Sequence, residues 1–427
     1  MNSSLSTRVA LAAAVFAVAL GSASAQTREI RVMCYQDGNE CEVTNDLARK
    51  FESQTPGVKV VVDTVPYRTI VEQLPVQLAA GQGPDIARVT DLGGLSKHYL
   101  DVSAHVKDRR YWESNFGATA PWLAPSPGDK GIHGFMSQLT MTGPFVNKTL
   151  FEQAKVALPG PKATWDEWAA AVKKVADATK TPIPLAIDRS GHRVAGPMIS
   201  FGAKWFGADG RPAVTDEGFR KMSKRLVDWH NDGTMSKTLW GSVSGRTYRG
   251  ANEEFNNGQV VMYMSGSWQI GQFATQIKDA FDWVAVPNPC GDVTCSPMPG
   301  GAGLVAIKYT KNPQQVARVM DYLASEPVLK EFYERTLFLP AHKGIAEKGL
   351  NFQTNDKHVK DALTTFAAQV PTIAPEAFRI NSYPLQTQVF GAVITRLGQA
   401  VAGELPLEQA YARIDEDIAN ALKEAGR

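Results

Sequence analysis

FNNGQVVMYMSGSWQI, residues 255–270, is the stretch on which the reading of this chain turns. Phe255 closes a helix, Asn256-Asn257-Gly258 turns the chain, and residues 260–264 form an apolar strand. The strand stops in Ser265-Gly266-Ser267, small residues that let a backbone approach something closely, and delivers Trp268. Ligands of open α/β sheets bind beyond the carboxyl ends of strands, so an indole at that place points to a crevice. The plainer alternative is a core tryptophan at a strand end.

Working outward, further strands are expected at residues 29–34, 58–62, 85–89, 283–286 and 304–307, with helices between them. A helix after the loop YQDGN ends near Gln54, where Thr55-Pro56-Gly57 breaks it. Another has its apolar spacing over residues 69–80 despite Pro75. A second series begins after Gly143-Pro144. There Thr164 and Glu167 form a capping box for a helix that runs to about Thr179, and a further helix near residues 216–231 ends in Asp232-Gly233. Residues 357–368, 386–402 and 407–425 also have helical spacing. Strand–helix alternation with β-branched strands indicates βαβ units and a mainly parallel sheet.

The N-terminus reads as an export signal. Arg8 is its only charge, residues 9–20 are apolar but too short to span a bilayer, and Ala23-Ser24-Ala25 is a cleavage site, so the mature chain is expected to begin at Gln26. No cysteine precedes Cys34, which argues against a lipid anchor at the new terminus. Roughly 400 residues remain, more than one core usually serves, so two lobes are expected. The formal charge of the 427-residue chain is only +2, which implies neither nucleic acid nor an anionic membrane as a partner. The four cysteines lie in two local pairs, Cys34/Cys41 and Cys290/Cys295. An exported chain meets an oxidising compartment, and local pairing into two loop-stiffening disulfides is the favoured reading, with crossed pairing left open. A metal site fits poorly, because CxxC spacing is absent and no histidine lies near either pair.

Catalytic signatures are missing: no HExxH, no GxSxG and no Walker loop. Gly301-x-Gly303-x-x-Ala306 mimics a dinucleotide fingerprint, but its glycines precede the strand instead of following it. What remains are polar and aromatic residues at expected strand ends: Tyr35, Gln36, Asp37 and Gly38 after the first strand, Thr90 and Asp91 after the third, Gln138 and Thr140 near the join of the two series, Trp268, and Gly300-Gly301 at a second join. Together they line the edges of two sheets, and a cleft between lobes is a preferred place for a small molecule.

These residues sit in segments that resemble the family 1 extracellular solute-binding proteins of ABC importers, the maltose-binding-protein-like group. NDLARKFESQTPGVKVVV (45–62) is similar to that family's first helix and second strand, and LAAGQGPDIARV (78–89) to its G-x-x-P-D segment. GPFVNKTLFEQAKVALPGPKATWDEW (143–168) resembles its YNK-x-LF…P-x-T-W-x-E region, with Val146 in place of the usual tyrosine. FNNGQVVMYMSGSW (255–268) is similar to F-x-x-G-x-x-x-M…G-x-W, and GGAGLVAIKYTKNPQQVARVMDYLAS (300–325) to the GG-strand-K-N-P block. The five segments come in the family's order, and the resemblance extends over essentially all of residues 26–427.

The resemblance implies an α/β, two-lobed periplasmic binding protein fold with a multi-crossing hinge. Lobe one would be 26–138 plus 305–345, lobe two 145–298 plus 346–427, with crossings near 138–145, 298–305 and 340–350. It implies a monomeric, non-enzymatic periplasmic receptor, without cofactor, that closes on a sugar or polyol and hands it to ABC permease subunits driven by a cytoplasmic ATPase. The family's ligand positions fall here on Tyr35, Gln36, Asp37, Gly38, Asp91, Thr140, Trp268, Gly300 and Gly301, and more loosely on Trp240 and Arg379. Asp37 and Asp91 would accept hydroxyl hydrogen bonds, and Trp268 would offer its face to a pyranose. Two alternatives stand beside this: an anionic polyol or sugar, motivated by Arg88, Arg379 and the Gly/Ser-rich loops, and a secreted carbohydrate-active enzyme using Asp37 and Asp91 as an acid/base pair.

Overall fold

Alternating burial at the N-terminal end sets the first layer. In a computed structural model, which describes residues 27–126 and 128–426, strand β1 (Arg28–Tyr35) buries Ile30, Val32 and Cys34 and exposes Glu29 and Arg31, as a period of two requires. The helix Glu40–Gln54 follows and lays Val43, Leu47 and Phe51, four residues apart, against the same core. Strands β2 (Val58–Val65) and β3 (Ile86–Val89) flank β1 in parallel. The signal-peptide reading falls on residues outside those described. Among the described residues no helix is long and apolar enough to cross a membrane.

β4 (Gly134–Asn147) is 14 residues long, almost wholly buried, and serves both lobes. β5 (Ile183–Ile187), β6 (Val260–Gly266) and β7 (Trp283–Ala285) belong to the second series, and β8 (Pro299–Ala306) returns to the first. The sheet order is β2-β1-β3-β8-β4-β6-β5, with β7 also paired to β4. From Gly134 to Met141, β4 pairs antiparallel with β8, and from Thr142 onward it pairs antiparallel with β6. The expectation of mainly parallel sheets is therefore corrected. β1–β2, β1–β3 and β5–β6 are parallel, but every pairing of β4 and β8 is antiparallel, because these two strands carry the chain between the lobes in opposite directions.

Gly143-Pro144 is likewise no boundary, since both lie inside β4. Pro144 has no N–H to give the ladder, yet its carbonyl receives Val286 N–H at 3.0 Å. One core joins Ile30, Val32, Leu47, Phe51, Phe135, Met320 and Phe332, and another joins Trp165, Trp168, Met198, Trp205, Phe219, Val393 and Ile414. The capping box forms as read: Glu167 N–H donates to Thr164 Oγ1 at 3.2 Å and Thr164 N–H to Glu167 Oε2 at 2.7 Å. Both local disulfides, Cys34–Cys41 and Cys290–Cys295, are present.

The crossing is tight. The register between β4 and β8 shifts at Ser137, a bulge whose hydroxyl donates to Ala302 O at 2.9 Å. Gly301, opposite Leu139, has φ +149°, and a Cβ there would stand 2.2 Å from Gln138 O. Gly301→Ala is therefore expected to cost about 1–3 kcal/mol of stability. Urea denaturation checks this, and an unchanged midpoint would contradict it.

Candidate functional site

Strand ends assemble the site. Where β1 ends, Asp37 N–H and Gly38 N–H donate to the two oxygens of the Glu40 carboxylate at 2.6 and 2.9 Å. Glu40 is fully buried and pairs with Arg88 Nη1 at 3.1 Å. Arg88 comes from the middle of β3, donates to Tyr35 O at 2.6 Å and stacks 3.8 Å over the Tyr35 ring. Its Nη2 lies 3.7 Å from Asp37 Oδ2. The Cys34–Cys41 disulfide closes this loop from behind. Tyr67, two residues past β2, packs against Tyr35 with centroids 4.9 Å apart and shares a hydrogen bond with Thr90 at 3.0 Å.

The second lobe answers with a matching polar cluster. Asp188, one residue past β5, is buried. It accepts from Tyr248 OH at 2.9 Å and Ala251 N–H at 3.1 Å, and lies 3.5 Å from Arg193 Nε. Arg193 lies 4.1 Å over the Trp268 ring and 5.4 Å over Tyr248. Tyr248 meets Tyr67 of the other lobe edge-on at 6.1 Å. Trp268 is 9% exposed and packs with the hydrophobic cluster of the first lobe, although a second-lobe strand delivers it.

The Ser-Gly-Ser before Trp268 has a more local role than ligand approach. Ser265 Oγ faces Asp188 at 3.4 Å, and Ser267 Oγ accepts Met141 N–H of β4 at 3.1 Å. A Cβ on Gly266 would fall 2.0 Å from the indole's own Cζ3, so only glycine lets the ring fold back there. On the floor, Thr140 stands opposite Gly300, and His192 Nε2 is 3.0 Å from Pro299 O. Burial, with the Arg193 charge beside it, pushes His192 down to about 3 and keeps it neutral. Nε2–H thus donates to Pro299 O, and Nδ1 is left to accept from Arg193 Nη1 at 3.3 Å.

Beside Asp37, Gly38, Ser267 and Trp268 opens a cavity of about 370 Å³, whose further wall includes Gln272, Thr275 and Thr354. The residues expected at the site do not all meet there. Gln36 is exposed. Asp91 accepts Gly94 N–H at 3.1 Å, and burial raises its affinity for a proton. Next to it a Cβ on Gly93 would lie 3.2 Å from Pro384 Cα, so this loop is a seam between the lobes. Two assignments are corrected. Trp240 is a core residue, with its indole N–H spent on Ile187 O at 2.8 Å and its ring against His230. Arg379 lies on the exterior, stacked 4.0 Å over Phe206 and bonded to Gly210 O at 3.2 Å.

Sequence reading passed over Glu40, Tyr67, Asp188, His192, Arg193 and Tyr248. The strand-end rule would have found Asp188 had β5, IPLAI with its internal proline, been recognised, and Tyr67 had β2 been read as running to Val65. Tyr248 stands in an irregular segment without periodicity.

Residues 42–330 match the family model described as bacterial extracellular solute-binding protein. That is more than half of the chain, and the chain belongs to this family. Among curated relatives, the galactooligosaccharide-binding protein of Bacillus subtilis is 23% identical over 82% of both chains. The maltodextrin-binding protein of the same organism is 22% identical over 90% of this chain and 87% of its own. Among solved structures, the GacH receptor of Streptomyces glaucescens, also studied in complex with acarbose, superposes with a TM-score of 0.75 at 18% identity, covering 92% of this chain and 98% of that one. The maltodextrin-binding domain from Bdellovibrio bacteriovorus bound to maltotriose gives 0.74 at 16% identity, over 93% and 100%.

Asp37 carries the site's pH dependence. Burial and the neighbouring Glu40 carboxylate push it up to about 7, against the pull of Arg88 and Arg193. Its unfolded value is about 3.9, so between those pH values the folded protein binds the extra proton. The resulting stability is complete below about pH 4 and is lost as pH rises through 7. Asp37→Asn should therefore flatten the fall in stability across that window, as read by denaturation at several pH values. Parallel slopes in both proteins would contradict the assignment.

Proposed function

We propose that this chain is an exported sugar receptor: it captures a neutral mono- or oligosaccharide between its lobes and presents it to an ABC importer in the inner membrane, as a monomer in the periplasm. The observation that carries the reading is that the cleft's guanidiniums are already matched by carboxylates, which leaves no surplus cation for an anion. Three carboxylates, Asp37, Glu40 and Asp188, face two guanidiniums, Arg88 and Arg193, among the rings of Tyr35, Tyr67, Tyr248 and Trp268. A neutral ligand with many hydroxyls suits such a site, because it accepts and donates without adding a charge that must be buried.

Asp37 and Gly38 would line one side of the cavity and Ser267 with Trp268 another, with Tyr35, Thr140 and Gly300 behind them. The cavity volume lies within the ordinary range of ligand pockets. The printed names of the two Bacillus relatives, binders of galactooligosaccharide and maltodextrin, support the same class. The anionic alternative is weakened, since Arg88 is ion-paired with Glu40, Arg193 lies beside Asp188, and Arg379 lies outside the cleft. Catalysis by Asp37 and Asp91 is disfavoured too, because Asp91 is turned into its own loop, where it accepts Gly94 N–H.

A thermal-shift screen with maltotriose, galactobiose, arabinobiose and sugar alcohols tests the reading. At least one should raise the melting temperature, and Trp268→Ala should weaken its binding about tenfold or more, on the order of 1.4 kcal/mol. Stabilisation only by peptides or anions would overturn it.

A further inference from the structure

We propose that Arg193 is the specificity-determining residue of the cleft: its guanidinium covers the face of Trp268, and a ligand binds well only if it replaces that contact and accepts the guanidinium's unspent hydrogen bonds. The proposal rests on the sugar-receptor reading and adds to it the residue that does the selecting.

The contrast with Arg189, four residues earlier, is direct. Arg189 is a structural arginine, with Nη1 on Thr247 O at 2.8 Å and Nη2 on Gly245 O at 2.7 Å. Arg193 makes only long contacts: 3.3 Å to His192 Nδ1, 3.5 Å to Tyr248 OH and 3.5 Å to Asp188. Its Nε is buried without a hydrogen-bond partner, as is that of Arg189, so the contrast lies in the two Nη groups. Good hydrogen bonds from a guanidinium run at about 2.7–2.9 Å, and a buried donor without a partner is costly. The side chain is thus held in place by the Asp188 charge and by two aromatic faces, while its Nη donors make only long bonds.

It is also the group placed to sense what enters. Its charge reaches Asp37 and Tyr67 on the opposite lobe, and it lies over the ring that would stack a pyranose. A sugar ring and this guanidinium compete for one surface. A cation over an indole is itself a favourable contact, so a ligand with an apolar face alone gains little from the exchange. One that also brings an oxygen to Nε or Nη gains a charge-assisted bond. Arg193 then discriminates by the oxygen pattern along one edge of the sugar, and a site built to bond a hydroxyl rejects the analogue lacking it.

The test uses the full mature chain, the best-binding saccharide among maltotriose, galactobiose and arabinobiose, and that sugar's monodeoxy analogues, titrated calorimetrically. Wild type should reject at least one analogue by about tenfold or more. Arg193→Gln should reduce that ratio to about twofold at the same position. Arg193→Lys, which keeps a charge beside Asp188 but lacks the planar fork, should fall between. Equal melting temperatures of the variants without sugar separate this from misfolding. Discrimination retained at every position in Arg193→Gln would overturn the proposal.

If wild type binds none of the sugars, the sugar reading fails on its own, and tryptophan emission decides the Arg193 assignment. Arg193→Gln should change the emission of the protein without added sugar, and the change should vanish in a Trp268→Phe background. No change overturns the assignment.

Discussion

Two antiparallel strands that run unbroken from one core to the other are the constraint on which the rest depends. β4 and β8 belong to both lobes, so the lobes can turn about them but cannot separate. That fixes which strand ends face each other. The ends of β1 and β2 and the loop after β3 look across at the ends of β5 and β6, and the floor between them is the crossing itself, Thr140 beside Gly300. A third crossing is pinned where Leu139 N–H donates to Leu339 O at 2.9 Å. The glycines of β8 are explained by this packing: Gly301 is there because the backbone of β4 passes too close for a side chain.

The cleft's polar half is organised by the cost of burying charge. An isolated carboxylate in such a place would neutralise itself. Glu40 and Asp188 are instead each held by a guanidinium and by backbone or tyrosine donors. Asp37, the least well paired, is pushed up to about 7 by burial and the Glu40 carboxylate. The same logic distinguishes the arginines. Arg88 is committed to building the first loop, whereas Arg193 is held loosely above an aromatic ring at the place where the lobes meet.

Much of this was legible in the sequence, and the limits have physical causes. Strands that alternate or run apolar between breakers, such as β1, β2 and β6, read correctly because periodicity and turn chemistry agree. β4 did not, because GFMSQLTMTGPFVN holds two glycines and a proline that ordinarily end a strand. Here Gly134 and Gly143 are required by close neighbours, and Pro144 still offers its carbonyl to β7's edge. Trp268 was placed at a strand end facing the other lobe, and it stands there. Trp240 was not separable from it by composition: both are tryptophans in apolar segments, and only the three-dimensional position of Ile187 O shows that one of them is satisfied inside the core. Arg193 carried no recognisable motif, since apart from His192 its partners come from residues 188, 248 and 268.

The central claim is that a sugar ring takes the surface of Trp268 that Arg193 covers in this structure, with Asp37 on the opposite wall. A crystal structure of the protein grown with a saccharide that stabilises it tests this most directly. The account predicts the ring stacked on Trp268, a hydroxyl on Asp37, and Arg193 moved off the indole to bond a sugar oxygen. A saccharide bound elsewhere in the protein, with Arg193 still lying over Trp268, would contradict it.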